Sequence, residues 1–167
     1  ELARIGVQYA IRIGSCGALQ REIHLGDLVL VQAAVRDEGT SKTYIEPIYP
    51  AIPDYSLLEA CVAAAREEQI PHHIGMARSH DSFYTDREDE IDAYWSRQGV
   101  LGADMETAAL FTIGSMRGIK TASILNTVVE YEENLEDNIN SYTDGAAAMM
   151  TGEHNEIHTA LEAFHRI

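Results

Sequence analysis

An arginine, a serine and two glycines lie close together near the start of the chain, in a combination that suits an anion. Residues 12–17 read Arg-Ile-Gly-Ser-Cys-Gly and follow an apolar run, residues 7–13, that predicts a buried strand. Arg12 offers a forked donor suited to phosphate, Ser15 adds a hydroxyl, and Gly14 lets the backbone approach a ligand closely. Because ligands bind beyond the carboxyl ends of strands in layered α/β folds, these residues predict an anion pocket. A tight turn in which Arg12 pairs with a structural carboxylate is the alternative.

Cys16 lies in the same stretch and raises the alternative of nucleophilic chemistry. Its thiol could attack a substrate if His24 or His80 served as the base. The more common outcome for a lone cysteine beside an apolar run is a small buried thiol. We therefore expect Cys16 to have a structural role.

Two acidic residues flank a methionine at the start of a predicted helix. Residues 104–106 read Asp-Met-Glu, and Glu106 is expected in the first helical turn, where the helix dipole stabilises a carboxylate. A carboxylate there can accept hydrogen bonds from two vicinal sugar hydroxyls, and Met105 offers an adaptable apolar surface to a sugar ring. An ordinary acidic helix N-terminus is the alternative.

An aromatic pair follows another predicted strand. Residues 79–84 read Ser-His-Asp-Ser-Phe-Tyr. Exposed aromatic rings at a strand end suit stacking on a flat heterocycle, so Phe83 is a candidate for binding a base. Two core aromatic side chains are the alternative and the more frequent outcome.

Three histidines share one face of the last predicted helix: His154, His158 and His165. A His-x-x-x-His pair can bind zinc. No cysteine cluster or HExxH pattern accompanies them, so a solvated helical face is the simpler interpretation. We predict no metal site.

Strands and helices alternate along the chain. Apolar, β-branched runs predict strands over residues 27–35, 73–79, 100–103 and 121–129. Helical periodicity predicts helices over residues 55–68, 87–98, 105–117 and 142–166, with Asp54 expected to cap the first. This alternation indicates a layered α/β fold with a largely parallel sheet. The acidic segment 130–140 predicts a surface loop or lid.

The first residues suggest a longer natural chain. Residues 1–6 read ELARIG, which is typical of the last turns of a helix closed by Gly6, and they lead directly into the first predicted strand. A chain seldom starts inside a helix that precedes a core strand, so we expect a segment before Glu1. A natural chain that starts here is the alternative.

Composition excludes several classes of partner. The chain has 12 Lys and Arg against 27 Asp and Glu, a net charge of −15, and this field repels a polyanion such as nucleic acid. Its two cysteines are too few for a disulfide framework, which favours a reducing compartment, and we expect the cytoplasm. No apolar run approaches the ~20 residues that a membrane span needs, so we expect no membrane partner.

Three segments together resemble the nucleoside phosphorylase family, which contains the hexameric uridine and purine nucleoside phosphorylases. RIGSCGALQ (12–20) is similar to the family's phosphate-binding strand end, SHDSFY (79–84) to its base-site segment, and GADMETAAL (102–110) to its ribose-binding motif. Their order and spacing also match, and GDLVLVQAAVRDEGTS and YPAIPD are similar to the uridine branch. The resemblance implies a single domain over residues 1–167. It also implies a three-layer αβα sandwich around a mixed, largely parallel and partly barrel-like sheet, with its N-terminal part missing.

The resemblance further implies an activity, in which inorganic phosphate cleaves the N-glycosidic bond of a nucleoside and no other cofactor is needed. The matching residues are Arg12, Gly14 and Ser15 for phosphate, Asp104, Met105 and Glu106 for ribose, and Phe83 with Arg87 for the base. Subunits of the family lend residues to each other's sites. We therefore expect a homo-oligomer, namely a hexamer built as a trimer of dimers.

Base recognition departs from the family's pattern at two places. Uridine phosphorylases carry a Gln and an Arg shortly after the Phe, whereas the matching positions here hold Arg87 and Asp89. Purine enzymes place a general-acid Asp roughly where Glu130 lies. Because the departing base needs a donor, Arg87 and a protonated Glu130 are candidates beside the catalytic Arg12 and Glu106. We favour uridine as the substrate. A purine nucleoside phosphorylase, a nucleosidase of the same fold and a non-catalytic nucleoside-binding protein are the alternatives.

Overall fold

The computed structural model describes residues 1–131 and 142–167 of the chain. The strands in this part are β1 (Tyr9–Ala18), β2 (Leu28–Asp37), β3 (His72–His80), β4 (Val100–Asp104) and β5 (Lys120–Val129). The α-helices are α1 (Tyr55–Glu67), α2 (Glu88–Arg97), α3 (Thr107–Met116) and α4 (Tyr142–Phe164). Short 3₁₀ helices form at Leu2–Ile5 and Ser41–Thr43, and the first of them ends at Gly6, as predicted. The predicted order of elements is confirmed.

The strands form one sheet that closes on itself in the order β1-β4-β3-β2-β5. The long ladders are parallel: β1 pairs with β5 from Tyr9↔Lys120 onward, and β2 pairs with β3 from Leu28↔His72 onward. β3 also runs parallel to β4. Short antiparallel ladders join β1 to β4 and β2 to β5 and complete the closure. The prediction of a mixed, largely parallel and partly barrel-like sheet is therefore confirmed.

Helices cover both faces of this sheet because β2 is apolar on both of its faces. Leu28 and Leu30 pack with Leu57 of α1 and with Ala163 of α4 in one cluster of buried side chains. The alternate residues of β2 belong to a second cluster, which contains Val29, Val31, Leu125 and Phe111 of α3. The helix–sheet–helix layering that the resemblance implied follows from this alternation.

β1 is longer than the sequence predicted, and this changes the setting of the glycine-rich stretch. Residues 12–17 do not form a turn beyond a strand. They lie within β1, because parallel pairing with β5 continues as far as Gly17↔Val129, with a register shift between Cys16 and Gly17. Arg12 and Ser15 are therefore held by a hydrogen-bonded ladder.

The start of α3 also differs from the prediction. The helix begins at Thr107 rather than at residue 105, because the Asp104 carboxylate accepts a hydrogen bond from the Thr107 backbone N–H at 3.0 Å. Glu106 therefore occupies the N-cap position and not the first helical turn. The predicted cap of α1 is confirmed, since Asp54 accepts from the Leu57 N–H at 3.0 Å.

Two further features concern the rest of the chain. Most of the acidic segment predicted as a lid, from residue 132 onward, lies outside the described residues. Within the described ranges, none of the helices combines the length and the apolar character needed to cross a membrane.

Candidate active site

A cavity of about 640 Å³, called the main cavity below, opens where β1, β3, β4 and β5 end. It is lined by residues from these four strands, from α2 and from the segment before α2. Most residues singled out in the sequence lie in its wall, although they come from distant parts of the chain. The structure thus brings together Arg12, Ser15, Phe83, Asp104, Met105, Glu106 and Glu130.

Arg12 is the cation at one end of the main cavity, which we call the anion end and define by Arg12, Ser15, Asp104 and Glu106. Its Nη2 donates to Glu106 Oε2, and its Nε lies 3.6 Å from Asp104 Oδ2. Its Nη1 is buried and finds no hydrogen-bond partner among residues 1–131 and 142–167. Because an unsatisfied buried donor costs free energy, an anion that reached Nη1 would be favoured there. Arg12 is therefore paired with carboxylates, as the alternative interpretation expected, and it also keeps one donor that suits an anion.

Gly14 does not line the main cavity, but it lets Arg12 adopt this position. A Cβ atom at Gly14 would lie 2.8 Å from Arg12 Nη1, closer than real contacts of this kind allow. The guanidinium therefore packs directly over the Gly14 backbone. A side chain at this position would therefore push the Arg12 guanidinium aside.

Asp104 is a fixed internal anchor and not an open ligand. Its side chain is fully buried, and it accepts hydrogen bonds from the Ser79 hydroxyl and from both the backbone N–H and the hydroxyl of Thr107. Thr107 Oγ1 in turn lies 2.8 Å from Ser123 Oγ. The predicted part of Asp104 in binding ribose stays a prediction, although these partners engage both of its carboxylate oxygens. Its place in the site is to orient Arg12 and to start α3.

Glu106 has the opposite environment. Its side chain is 61% exposed, and Oε2 accepts from Arg12 and from the Met105 N–H at 3.3 Å. One oxygen is thus restrained by the protein while the carboxylate faces the main cavity. This arrangement suits a group that accepts hydrogen bonds from the hydroxyls of a sugar.

Glu130 follows β5 directly and lies in the wall of the main cavity. Its Oε1 accepts from the Leu25 N–H at 2.9 Å and lies 3.4 Å from His24 Nδ1. The carboxylate is therefore tied to the connection between β1 and β2. Its predicted part in catalysis stays a prediction.

A second part of the main cavity, called the base end, is formed by residues 78–92. Phe83 is 62% exposed and packs edge-to-face on Tyr84 with ring centroids 5.0 Å apart. The prediction of an exposed aromatic pair is confirmed, and the alternative of two core aromatic residues is wrong. Arg87, by contrast, is not among the residues that line the cavity in the described part of the chain. Its guanidinium makes a two-pronged ion pair with Glu90 at 3.0 Å, and both side chains are more than two-thirds exposed.

Arg78 is a cavity residue that the sequence analysis missed. It is only 7% exposed, and its guanidinium binds Asp37 Oδ2 at 2.8 Å through Nε and through Nη2. Burial, followed by nearby Glu88, raises the pKa of Asp92, whereas Arg78 and His80 lower it, so these groups share one neighbourhood. A charged residue directly after the apolar run 74–77 of a predicted strand is the signal in the sequence that could have identified Arg78.

The structure contradicts a nucleophilic role for Cys16. The thiol is 3% exposed and lies 3.9 Å from Thr127 Oγ1. Burial raises the pKa of Cys16 to about 12, so the reactive thiolate is scarcely populated at neutral pH. His80, one of the two suggested bases, instead contacts the Ser82 carbonyl through Nδ1 at 2.9 Å.

The zinc alternative also finds no support in the part of the chain that the structure describes. No group of three or more His, Cys, Asp or Glu side chains is placed there to hold a metal ion. His154 and His158 are exposed on α4, and His165 is exposed directly after it. They form the solvated helical face that the sequence analysis favoured.

Comparison with known proteins supports the resemblance along nearly the whole chain. Residues 2–160 match the family described as the phosphorylase superfamily. A guanosine phosphorylase of Halorubrum lacusprofundi is 38% identical over 124 residues, which is 74% of this chain and 51% of that protein. A uridine phosphorylase of Treponema pallidum is 34% identical over 135 residues, which is 75% of this chain and 52% of that protein. The chain thus spans about half the length of the curated relatives it matches.

A solved structure agrees with these relatives. The uridine phosphorylase of Vibrio fischeri ES114, in complex with 6-hydroxy-1-naphthoic acid, has a TM-score of 0.93 and 47% sequence identity. The match covers 100% of this chain and 67% of that one. Matching family profile, fold and motif order lead to one conclusion: the chain belongs to the phosphorylase superfamily.

Proposed function

We propose that the full-length protein cleaves the N-glycosidic bond of a ribonucleoside with inorganic phosphate, giving a free base and ribose 1-phosphate. Phosphate is the co-substrate, and the reaction needs no other cofactor. The observation that supports this proposal most strongly is the double engagement of Arg12. One guanidinium keeps a buried Nη1 without a partner in the described part of the chain and also holds Glu106, the carboxylate that faces the cavity.

The anion end supplies the alignment that this reaction requires. Arg12 and Ser15 bind phosphate, while Glu106 accepts hydrogen bonds from the vicinal ribose hydroxyls and Met105 packs against the sugar ring. A phosphate oxygen then forms a bond to the anomeric carbon as the bond from that carbon to the base breaks. Since Arg12 contacts Glu106 directly, the nucleophile and the sugar are positioned by one connected group, which lowers the entropic cost of the encounter.

The departing base takes the electron pair of the broken bond and needs a proton or a hydrogen-bond donor. Glu130 in its protonated form remains a candidate. Arg87 is a weaker candidate than the sequence suggested, because its guanidinium is engaged with Glu90 at the surface. Arg78 replaces it as the cation of the base end, since Asp37 holds it rigidly in the cavity wall.

Base release with and without phosphate tests the proposal. The full-length protein is expected to release base from uridine, inosine or guanosine only when phosphate is present, with ribose 1-phosphate as the second product. Equal rates without phosphate would identify a nucleosidase instead. Tight nucleoside binding without turnover would identify a binding protein. The variant Cys16→Ala serves as a control and is expected to keep full activity, because the buried thiol takes no part.

Uridine is the base preference that we propose. The Vibrio fischeri protein and several curated relatives are named uridine phosphorylases, and this supports the choice. The guanosine phosphorylase of Halorubrum lacusprofundi favours the alternative of a purine substrate. Comparing kcat/KM on uridine, thymidine, inosine, adenosine and guanosine decides between them. A purine preference that Glu130→Ala abolishes would contradict the uridine proposal.

We also propose that the full-length protein assembles as a homo-oligomer, a hexamer formed as a trimer of dimers, in the cytoplasm. The assembly follows from the family's habit of sharing sites between subunits. Light scattering of the full-length protein at micromolar concentration tests it. A monomer at that concentration would contradict it.

A further inference from the structure

A buried carboxylate contacts β1 at the anion end, although no sequence motif drew attention to it. Glu156 lies on α4 and is only 5% exposed. Its Oε2 accepts a hydrogen bond from the Gly14 backbone N–H at 2.9 Å. Carboxylates are rarely buried so deeply unless their environment compensates for the lost hydration, so its contacts call for an explanation.

Those contacts connect Glu156 to the residues that bind the anion. The Gly14 peptide donates to Glu156, and the guanidinium of Arg12 packs over the same residue, with Nη1 2.8 Å from the position of a Gly14 Cβ. Ser15 comes next in the strand and lines both the main cavity and a smaller cavity beside Glu156. The stretch of β1 that supplies Arg12 and Ser15 to the anion end is therefore held by Glu156.

The charge of Glu156 is variable at neutral pH. Burial, with a smaller contribution from nearby Glu153, raises the pKa of Glu156 to about 7, although the Gly14 N–H, the Arg12 guanidinium and the Asn126 backbone act in the opposite direction. Cys16 of β1 also senses the Glu156 charge, and its own pKa is raised. Among the described residues, the charged groups that shift the pKa of Glu156 are Arg12 from β1 and Glu153 from its own helix, and Cys16 is the neutral thiol beside it. Asn126 of β5 contributes no charge.

We propose that Glu156 is a positioning residue for the anion end, whose carboxyl group fixes the Gly14–Ser15 backbone and whose negative charge, when present, weakens the binding of phosphate near Arg12. The inference rests on the proposed phosphorolysis, because it assigns phosphate to this end. Two effects follow. The hydrogen bond to Gly14 persists in either protonation state, since the carboxyl C=O accepts it in both. The repulsion of phosphate acts only in the ionised state.

The variant Glu156→Gln separates these effects, because a Gln carbonyl can accept from the Gly14 N–H while the charge is removed. Phosphate binding to the full-length protein is measured by isothermal titration calorimetry at pH 6 and at pH 8. At pH 6 wild type and variant are expected to bind phosphate equally. At pH 8 the variant is expected to bind about five-fold more tightly, the scale of one partly screened charge nearby. Comparison at each pH cancels the titration of phosphate itself.

Two more variants sharpen the test. Glu153→Gln removes a negative charge from an exposed position one helical turn earlier. Because solvent screens that charge, the phosphate affinity of this variant at pH 8 is expected to stay within about two-fold of wild type. Glu156→Ala removes the acceptor as well as the charge and leaves the Gly14 N–H unpaired, so it is expected to bind phosphate more weakly than Glu156→Gln at both pH values. Equal phosphate affinity of Glu156→Ala and Glu156→Gln would overturn the positioning role.

The outcomes also separate this inference from the proposed function. Equal phosphate affinity of wild type and Glu156→Gln at both pH values would overturn the charge effect proposed for Glu156. A ratio of the two affinities that does not change with pH would do the same. Neither result would touch the proposed phosphorolysis. A wild-type protein that binds no phosphate at either pH would overturn the proposed phosphorolysis.

Discussion

The anion end and the base end of the main cavity are built from different kinds of structure. At the anion end, Arg12 lies within a paired strand, and Asp104 is buried with every described contact directed at Arg12, Ser79 or Thr107. At the base end, Phe83 and the Arg87–Glu90 pair are exposed on the segment before α2 and on its first turn. One end is held by the core and the other mainly by local contacts.

This difference teaches where precision is needed. In the proposed reaction, phosphate and ribose must be aligned to within a fraction of an ångström, and groups on packed strands hold such positions best. A planar base can be held by an exposed ring whose position adapts. Substrate preference can then change at the base end without disturbing the chemistry, which fits relatives named for both uridine and guanosine.

The largest effect is expected from Glu106→Ala, which removes the open carboxylate of the anion end. Losing two hydrogen bonds from a charged group costs about 1.5–3 kcal/mol each, so kcat/KM should fall about 10²–10⁴-fold. Steady-state kinetics of the full-length protein measures this. The control is Glu90→Ala, which removes an equally exposed carboxylate from the base end and should change kcat/KM by less than about two-fold. Similar losses in both variants would erase the distinction between the two ends.

The second effect concerns the contribution of the buried Asp104 to the stability of the fold. Asp104→Ala leaves the buried part of Arg12 and the first turn of α3 without their acceptor, so the free energy of unfolding should fall by about 3 kcal/mol. Urea denaturation measures the change. Glu106→Ala is the matched control and should cost less than about 1 kcal/mol, because that side chain is 61% exposed. A mild effect of Asp104→Ala would show that the anion end does not depend on the core.

A third effect, smaller and dependent on pH, is expected at Glu156. Because the folded protein raises the pKa of this carboxyl from 4.5 to about 7, the folded state binds more protons than the unfolded state in that range. Wild type therefore loses stability as pH rises from about 4.5 to about 7, and Glu156→Gln does not share this loss. Thermal melts should show that the Tm of Glu156→Gln increases relative to the Tm of wild type between pH 5 and pH 8. A constant difference in Tm would contradict the assignment.

The smallest effect is expected from Arg87→Ala at the base end. Its ion pair with Glu90 is exposed and screened by solvent, so kcat/KM should change by less than about two-fold and the free energy of unfolding should hardly change. Arg78→Met is the contrasting variant and should lower kcat/KM more, because Arg78 is buried in the cavity wall. A ten-fold loss of kcat/KM on uridine in Arg87→Ala would show that Arg87 contributes to the base site.

Local patterns in the chain predicted its elements well. The apolar run of β2, the Asp54 cap of α1 and the helix end at Gly6 depend on neighbours a few residues away, and the structure confirms them. Residues of the three family motifs also line one cavity, since motif spacing identifies residues that relatives bring together. Errors occurred where pairing with a distant strand decided the outcome, as in the extension of β1 to Ala18.

The sequence by itself therefore determined the order of elements, the family and the candidate residues of the anion end, because these depend on composition and short-range spacing. Only the tertiary structure decided which carboxylate is buried and which is open. Arg12 meets Glu106 across 94 positions of the chain, and Gly14 meets Glu156 across 142. Contacts between residues so far apart depend on how the barrel closes and how α4 packs against it, and no local pattern records that geometry.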